Sequence, residues 1–298
     1  MSQHVHGPVD EMLERRDLIL VTGKGGTGKS TLVAALAELA ARRRGRALAV
    51  ELAVHPRLPS LIDPEAGVTA VNIDAEEVVG NVLSRLFHLP TLVGALLRNR
   101  IIRIFIRTSP AIREMVALEE LRHLVDSSSR DGCPVIVDLP ATGHALSFLD
   151  TPRAVHRLLR VGPLADVAAG VERLLLDGSR CELVVVALPE ELPINETIEL
   201  VRRSVHIGVA NRTVVVNQVP ASPVEARDRA LLELIGSQGD VALERFASAA
   251  RSEVDGVEEA RAQIARLRDA VGAEVIELPR YAAGQRECVR TMVETLGS

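Results

Sequence analysis

The residues Gly23-Lys24-Gly25-Gly26-Thr27-Gly28-Lys29-Ser30-Thr31 follow directly on the apolar run Leu18-Ile19-Leu20-Val21. Glycines at this spacing let backbone N–H groups curl around an anion with no Cβ in the way. A helix starting at the end of such a loop adds further donors and positive potential. Lys29 is then set to reach the outer phosphates of a nucleotide, and the Ser30 hydroxyl to ligate Mg²⁺. The spacing of Gly23, Gly28, Lys29 and Ser30 is that of a phosphate-binding loop between a buried strand and a helix, so ATP and Mg²⁺ are the expected ligands.

Lys24 narrows the class. It stands inside the loop, where its side chain is directed outward and away from the loop's own phosphates. Reaching over a neighbouring subunit's nucleotide, it would add positive charge in trans as an arginine finger does.

A second constellation is Val135-Ile136-Val137-Asp138, an apolar strand ending in a carboxylate, followed by Leu139-Pro140-Ala141-Thr142-Gly143-His144. A strand-end carboxylate beside a phosphate loop anchors the water shell of Mg²⁺, so Asp138 joins Lys24 and Lys29 as a catalytic candidate, and joins Ser30 at the metal. Thr142-Gly143 is expected to form a flexible loop that orders and releases with the γ-phosphate. His144 is expected to shape that loop and not to act as a base.

Seven short apolar runs read as strands: Leu18–Val21, Ala47–Leu52, Thr69–Ile73, Val135–Asp138, Leu183–Leu188, Thr213–Asn217 and Glu274–Leu278. Apolar residues on both faces fit strands buried in a parallel sheet. Helical patterns at Thr31–Arg44, Glu196–Val205, Val224–Ile235 and Val257–Val271 separate several of them, which predicts an α/β, doubly wound, mostly parallel sheet. Residues 75–125 and 151–176 carry helical periodicity without a strand and are expected to form an inserted helical subdomain. Residues 1–16 are expected to be a flexible N-terminus, and 17–298 the catalytic domain. Within the insertion, Arg100, Arg103 and Arg107 would share one helix face opposite Leu97, Ile101, Ile104 and Phe105, read here as a solvated face of a subdomain helix.

Composition bounds the rest. Of 298 residues 47% are hydrophobic but only 2% aromatic, so the core must be built from Leu, Val, Ile and Ala. A net charge of −5 without a basic tail gives no expectation of nucleic-acid binding. Cys133, Cys181 and Cys288 are widely separated, which argues against a disulfide framework and a zinc site. No apolar run approaches the ~20 residues of a membrane span, and Met1–Arg16 lacks a signal-peptide core, so a cytoplasmic protein is expected.

The phrase Gly-Lys-Gly-Gly-Thr-Gly-Lys-Ser-Thr resembles the deviant Walker A loop of the class that includes the nitrogenase iron protein, the ParA/MinD partition ATPases and the ArsA/Get3 ATPases. The phrase Asp138-Leu-Pro-Ala-Thr-Gly-His144 resembles the switch II segment of the ArsA/Get3 ATPases. Val186–Thr197 resembles that family's strand-to-helix segment, Val214–Gln218 its strand ending in an adenine-reading asparagine, and Leu278-Pro279-Arg280 the start of its adenine-covering loop. The long phrases are most similar to the paired single-domain ArsA-like ATPases of actinobacteria and other bacteria.

The resemblance implies a face-to-face dimer around two nucleotides that hydrolyses ATP to ADP and phosphate in order to change shape. It also implies adenine contacts from Asn217 and Pro279, and a membrane or protein cargo at the helical subdomain. One segment departs from the pattern: Leu52 in Glu51-Leu-Ala-Val-His55 stands where the family has the Asp that positions the attacking water. Glu51, one residue back, is expected on the opposite face of its strand. The departure implies a heterodimer in which a paired subunit completes catalysis, as an alternative to a homodimer. A clamp that binds ATP with little or no hydrolysis is the rival reading. Tail-anchored protein targeting ranks below both, since Met115 is the one methionine of the insertion, and arsenite export ranks lower still for want of soft ligands.

Overall fold

The computed structural model describes residues 7–53, 55–87, 98, 100, 104, 106, 108–281 and 284–297. Seven strands, β1 (Leu18–Gly23), β2 (Ala47–Glu51), β3 (Val68–Asn72), β4 (Val135–Asp138), β5 (Cys181–Ala187), β6 (Thr213–Val219) and β7 (Glu274–Pro279), form one sheet in the order β3-β2-β4-β1-β5-β6-β7. Every described pairing is parallel. The inner strands β1, β4 and β5 are buried along their whole length, while the edge strands β3 and β7 are only partly covered. Aliphatic runs of this kind are stable only with helices on both faces, and a doubly wound α/β fold provides them.

One face is covered by α1 (Pro8–Arg15), α2 (Lys29–Arg44), the short α3 (Leu58–Leu61) and, numbering the described helices in chain order, α11 (Gln285–Leu296). Helix α2 is buried from Leu32 to Ala41 with no polar side, because it is enclosed by the sheet, α1 and α11. The other face carries α5 (Pro110–Ser128), α6 (Thr142–Leu158), α7 (Pro163–Leu176), α8 (Glu191–Ile207) and α10 (Val241–Ala270). Helix α4 (Ala75–Phe87) packs with α5 around a small cluster of Ala75, Val79, Val82, Ile106 and Val116. Helix α9 (Arg229–Gly236) forms a hairpin with α10.

Three expectations need correction. Residues 8–16 are not a flexible leader: α1 buries Val9, Met12 and Leu13 against α2. Buried Arg16 then donates through Nε to Glu182 Oε2 at 3.2 Å, and through its guanidinium to the Ser179 carbonyl. The arginines that close α2 lock this helix down, since Arg43 pairs with Asp10 at 2.5 Å and Arg44 donates to the carbonyls of Leu13 and Arg16. Helix α10 begins at Val241, well before the expected Val257. Its early buried positions, Ala247, Ala250 and Val254, are small residues that give a weak periodic signal, and Asp240 caps it through the N–H groups of Ala242 and Leu243. Thr142-Gly143 is not a loop but the first turn of α6. The basic amphipathic stretch expected over 98–107 lies largely outside the described residues.

Candidate functional site

The carboxyl ends of β1 and β4 meet at the centre of the sheet, where the strand order reverses and open α/β sheets bind ligands. At the end of β1 a Cβ on Gly23 would come within 2.3 Å of the Val186 carbonyl oxygen on β5, so only glycine lets the chain turn there. The loop closes at Gly28, whose φ of 92° is left-handed. A Cβ at Gly28 would lie 2.4 Å from Asn217 Nδ2.

Asn217 is buried at the end of β6 and donates through Nδ2 to the Thr27 carbonyl at 2.8 Å, while its Oδ1 accepts from the N–H of Gln218. The residue that the resemblance assigns to adenine is thus a strut beneath the phosphate loop. One amide hydrogen and part of the oxygen's acceptor capacity remain unused. Thr27, also buried, donates its hydroxyl to the Lys24 carbonyl at 2.9 Å and holds the loop's crown shut.

Helix α2 starts at Lys29 and aims its free N–H groups into the loop. Ser30 Oγ donates to Asp138 Oδ2 at 2.5 Å, which joins the two sequence motifs in one contact. The other oxygen, Asp138 Oδ1, is buried and has no hydrogen-bond partner among the described residues. Burial pushes the Asp138 carboxyl above its ordinary value; the Ser30 hydrogen bond and the Lys29 charge oppose the rise, and the Glu51 charge adds to it. Lys29 donates to the Lys24 carbonyl at 3.2 Å, and burial lowers its ammonium below the ordinary lysine range against the pull of Asp138. A buried carboxylate with an unsatisfied oxygen beside a hydroxyl and the end of an anion-binding loop fits a bound Mg²⁺.

Lys24 takes a different direction. Its ammonium is 3.0 Å from Glu196 Oε1 on α8, with both side chains nearly half exposed. It does not line the cavity over the loop, which has a volume of about 520 Å³ and takes one wall from Gly26, Gly28, Lys29, Ser30 and Thr31. The remaining wall comes from Arg57, Ser60 and Leu61 after β2, and from Gln285 at the start of α11. Gly25 is exposed at the crown of the loop, and Pro279 is exposed at the end of β7. It is Gln285, downstream of Pro279, that reaches the cavity.

Leu52 and Glu51 diverge as strand alternation predicts. Leu52 lines a separate cavity of about 260 Å³ with Ile73, Pro140, His144 and Phe148. Glu51 turns to the opposite face, where Oε2 accepts from the N–H groups of Arg57 at 2.6 Å and Leu58 at 3.0 Å. Sequence reasoning missed Arg57, Ser60 and Gln285, because no motif carries them and each lies in a connection whose path only the fold defines. Cys133 and Cys181 are buried, and burial pushes both thiols upward, away from thiolate chemistry.

A model of the family described as anion-transporting ATPase matches residues 16–167, a span that contains both the loop and Asp138. The ATPase BagA of Mycobacterium tuberculosis is 30% identical over 232 residues, covering 72% of this chain and 68% of the relative. The chain belongs to the anion-transporting ATPase family. ATPase ASNA1 homolog 1 of Paramecium tetraurelia is 24% identical, over 74% of this chain and 80% of that one. ATPase get3 of Neurospora crassa is also 24% identical, over 73% and 78%. Membership accounts for the parallel sheet, and the matched span contains the loop at 23–31. Among the described residues, no helix of this family member is long and apolar enough to cross a membrane.

Proposed function

We propose that the protein is an ATP-hydrolysing, dimeric switch whose nucleotide state is read out by the helices around α4 to α7. The observation that carries this reading is the Ser30–Asp138 contact with its unpartnered Oδ1. Ser30 and, through water, Asp138 would hold Mg²⁺, which when bound neutralises charge across the β- and γ-phosphates. Lys29 binds the outer phosphates. The loop's backbone N–H groups enclose them, and Thr31 continues the wall toward the nucleoside. Asn217 offers its spare amide hydrogen to the base, and Pro279 lies against it.

Lys24 acts on the nucleotide of the other subunit. Its exposure and its absence from its own phosphate cavity support this role, since a solvated ammonium outside the cavity does nothing for phosphates in cis. The partner is a second copy or a paired ArsA-like subunit, and the setting is the cytoplasm. Phosphate release by the full chain with ATP and Mg²⁺ tests the reading. Lys24→Ala should abolish release while keeping most of the ATP affinity, and unchanged turnover would refute the trans role.

A second reading is favoured by one observation: among the described residues no carboxylate lines the phosphate cavity, because Leu52 faces elsewhere and Glu51 is engaged with backbone. With nothing to orient the attacking water, the chain by itself is a slow ATP-loaded clamp. Background phosphate release with intact ATP binding, both alone and with a paired subunit, selects the clamp.

A further inference from the structure

A second cation lines the phosphate cavity beside Lys29, and no part of the phosphate loop supplies it. Arg57 follows β2 and shares the cavity wall with Gly28, Lys29, Ser30 and Thr31. We propose that Arg57 binds the phosphate chain of the nucleotide from within the same chain, an inference that rests on the nucleotide reading of the loop.

The cavity suits an anion: Lys29 and Arg57 line it, and among the described residues no carboxylate does. Among the described residues, the Arg57 guanidinium makes no hydrogen bond or ion pair, and the hydrogen bonds of this residue run through its backbone. A guanidinium presents a planar fork of donors that matches phosphate oxygens two at a time, and Arg57 brings one to the same cavity as the loop's N–H donors.

The backbone at Arg57 is held from three directions. Glu51, buried at the end of β2, accepts from the N–H of Arg57 at 2.6 Å and of Leu58 at 3.0 Å. The Ser60 hydroxyl donates to the Arg57 carbonyl at 2.7 Å. The Ser60 carbonyl in turn accepts from Arg286 Nε at 2.8 Å, tying the turn to α11 beside Gln285. Glu51, which supplies no carboxylate to the cavity, therefore contributes as a positioning residue for Arg57. The side chain itself is exposed and must be ordered by the ligand, so the loss on its removal should be moderate.

The test is equilibrium binding of ATP, ADP and adenosine to the full chain in the presence of Mg²⁺, by displacement of a fluorescent nucleotide. Arg57→Ala should weaken ATP about tenfold, the scale of one partly screened charged hydrogen-bond pair, and ADP less. Adenosine should bind as in the unsubstituted protein. Arg57→Lys should recover part of the loss by restoring the charge without the fork. Thermal unfolding of the two variants checks that they fold. ATP affinity of Arg57→Ala within twofold of the original, or an equal loss for adenosine, would overturn the inference while leaving the nucleotide site standing. An unsubstituted protein that binds no ATP would remove the nucleotide reading and this inference with it.

Discussion

The Lys24 ammonium is bound to Glu196 Oε1 at 3.0 Å, a pair that spans from the phosphate loop to α8 within one chain. Both side chains are nearly half exposed, so water and salt screen the attraction. Exposed pairs of this kind contribute about 0.2–1 kcal/mol, well within what a competing anion can offset. Glu196→Gln is therefore expected to shift the unfolding free energy by under about 1 kcal/mol, with the difference shrinking further in high salt. Chemical denaturation at two ionic strengths measures it. A large loss would make the pair structural and leave Lys24 unavailable to another subunit.

Asp138 yields a pH signature. Its carboxyl is held above its ordinary value mainly by burial, so the folded state retains this proton to higher pH than the unfolded chain does. The penalty for the charge is absent below the unfolded value, grows as pH rises through the folded one, and is complete at neutral pH. Asp138→Asn should thus stabilise the nucleotide-free protein at pH 7, a gain that disappears on acidification below the unfolded value, while ending Mg²⁺-dependent phosphate release. Thermal unfolding across pH checks the sign.

Asn217 separates a structural from a recognition role. Its removal leaves the Thr27 carbonyl without its donor beneath the loop, at a cost of about 1–3 kcal/mol. Asn217→Ala should lower stability by that amount in the absence of nucleotide. A residue that only read the base would leave stability untouched and alter only the preference for ATP over GTP.

Arg16→Ala tests the N-terminal helix. Glu182 is nearly fully buried, and without Arg16 its charge keeps only the Thr213 hydroxyl as a side-chain partner. Removing one member of a buried pair costs about 3–5 kcal/mol, so denaturant midpoints should fall sharply. A change under about 1 kcal/mol would mean that residues 8–16 are dispensable after all.

The types and spacing of residues 23–31 determined a tight loop between strand and helix, because glycine at Gly23 and Gly28 lets the backbone turn where a side chain would collide. The seven apolar runs likewise determined a parallel sheet, since strands greasy on both sides have to be covered twice. Tertiary structure alone decided that α1 is packed and not loose. The pairing that anchors it, Arg16 with Glu182, joins residues far apart in the chain. It also decided that Lys24 turns to Glu196, that Asn217 props the loop, and that Arg57 enters the phosphate cavity. Periodicity reports which face of an element is apolar, but the direction of a loop side chain depends on which distant backbone and carboxylate groups the fold brings beside it.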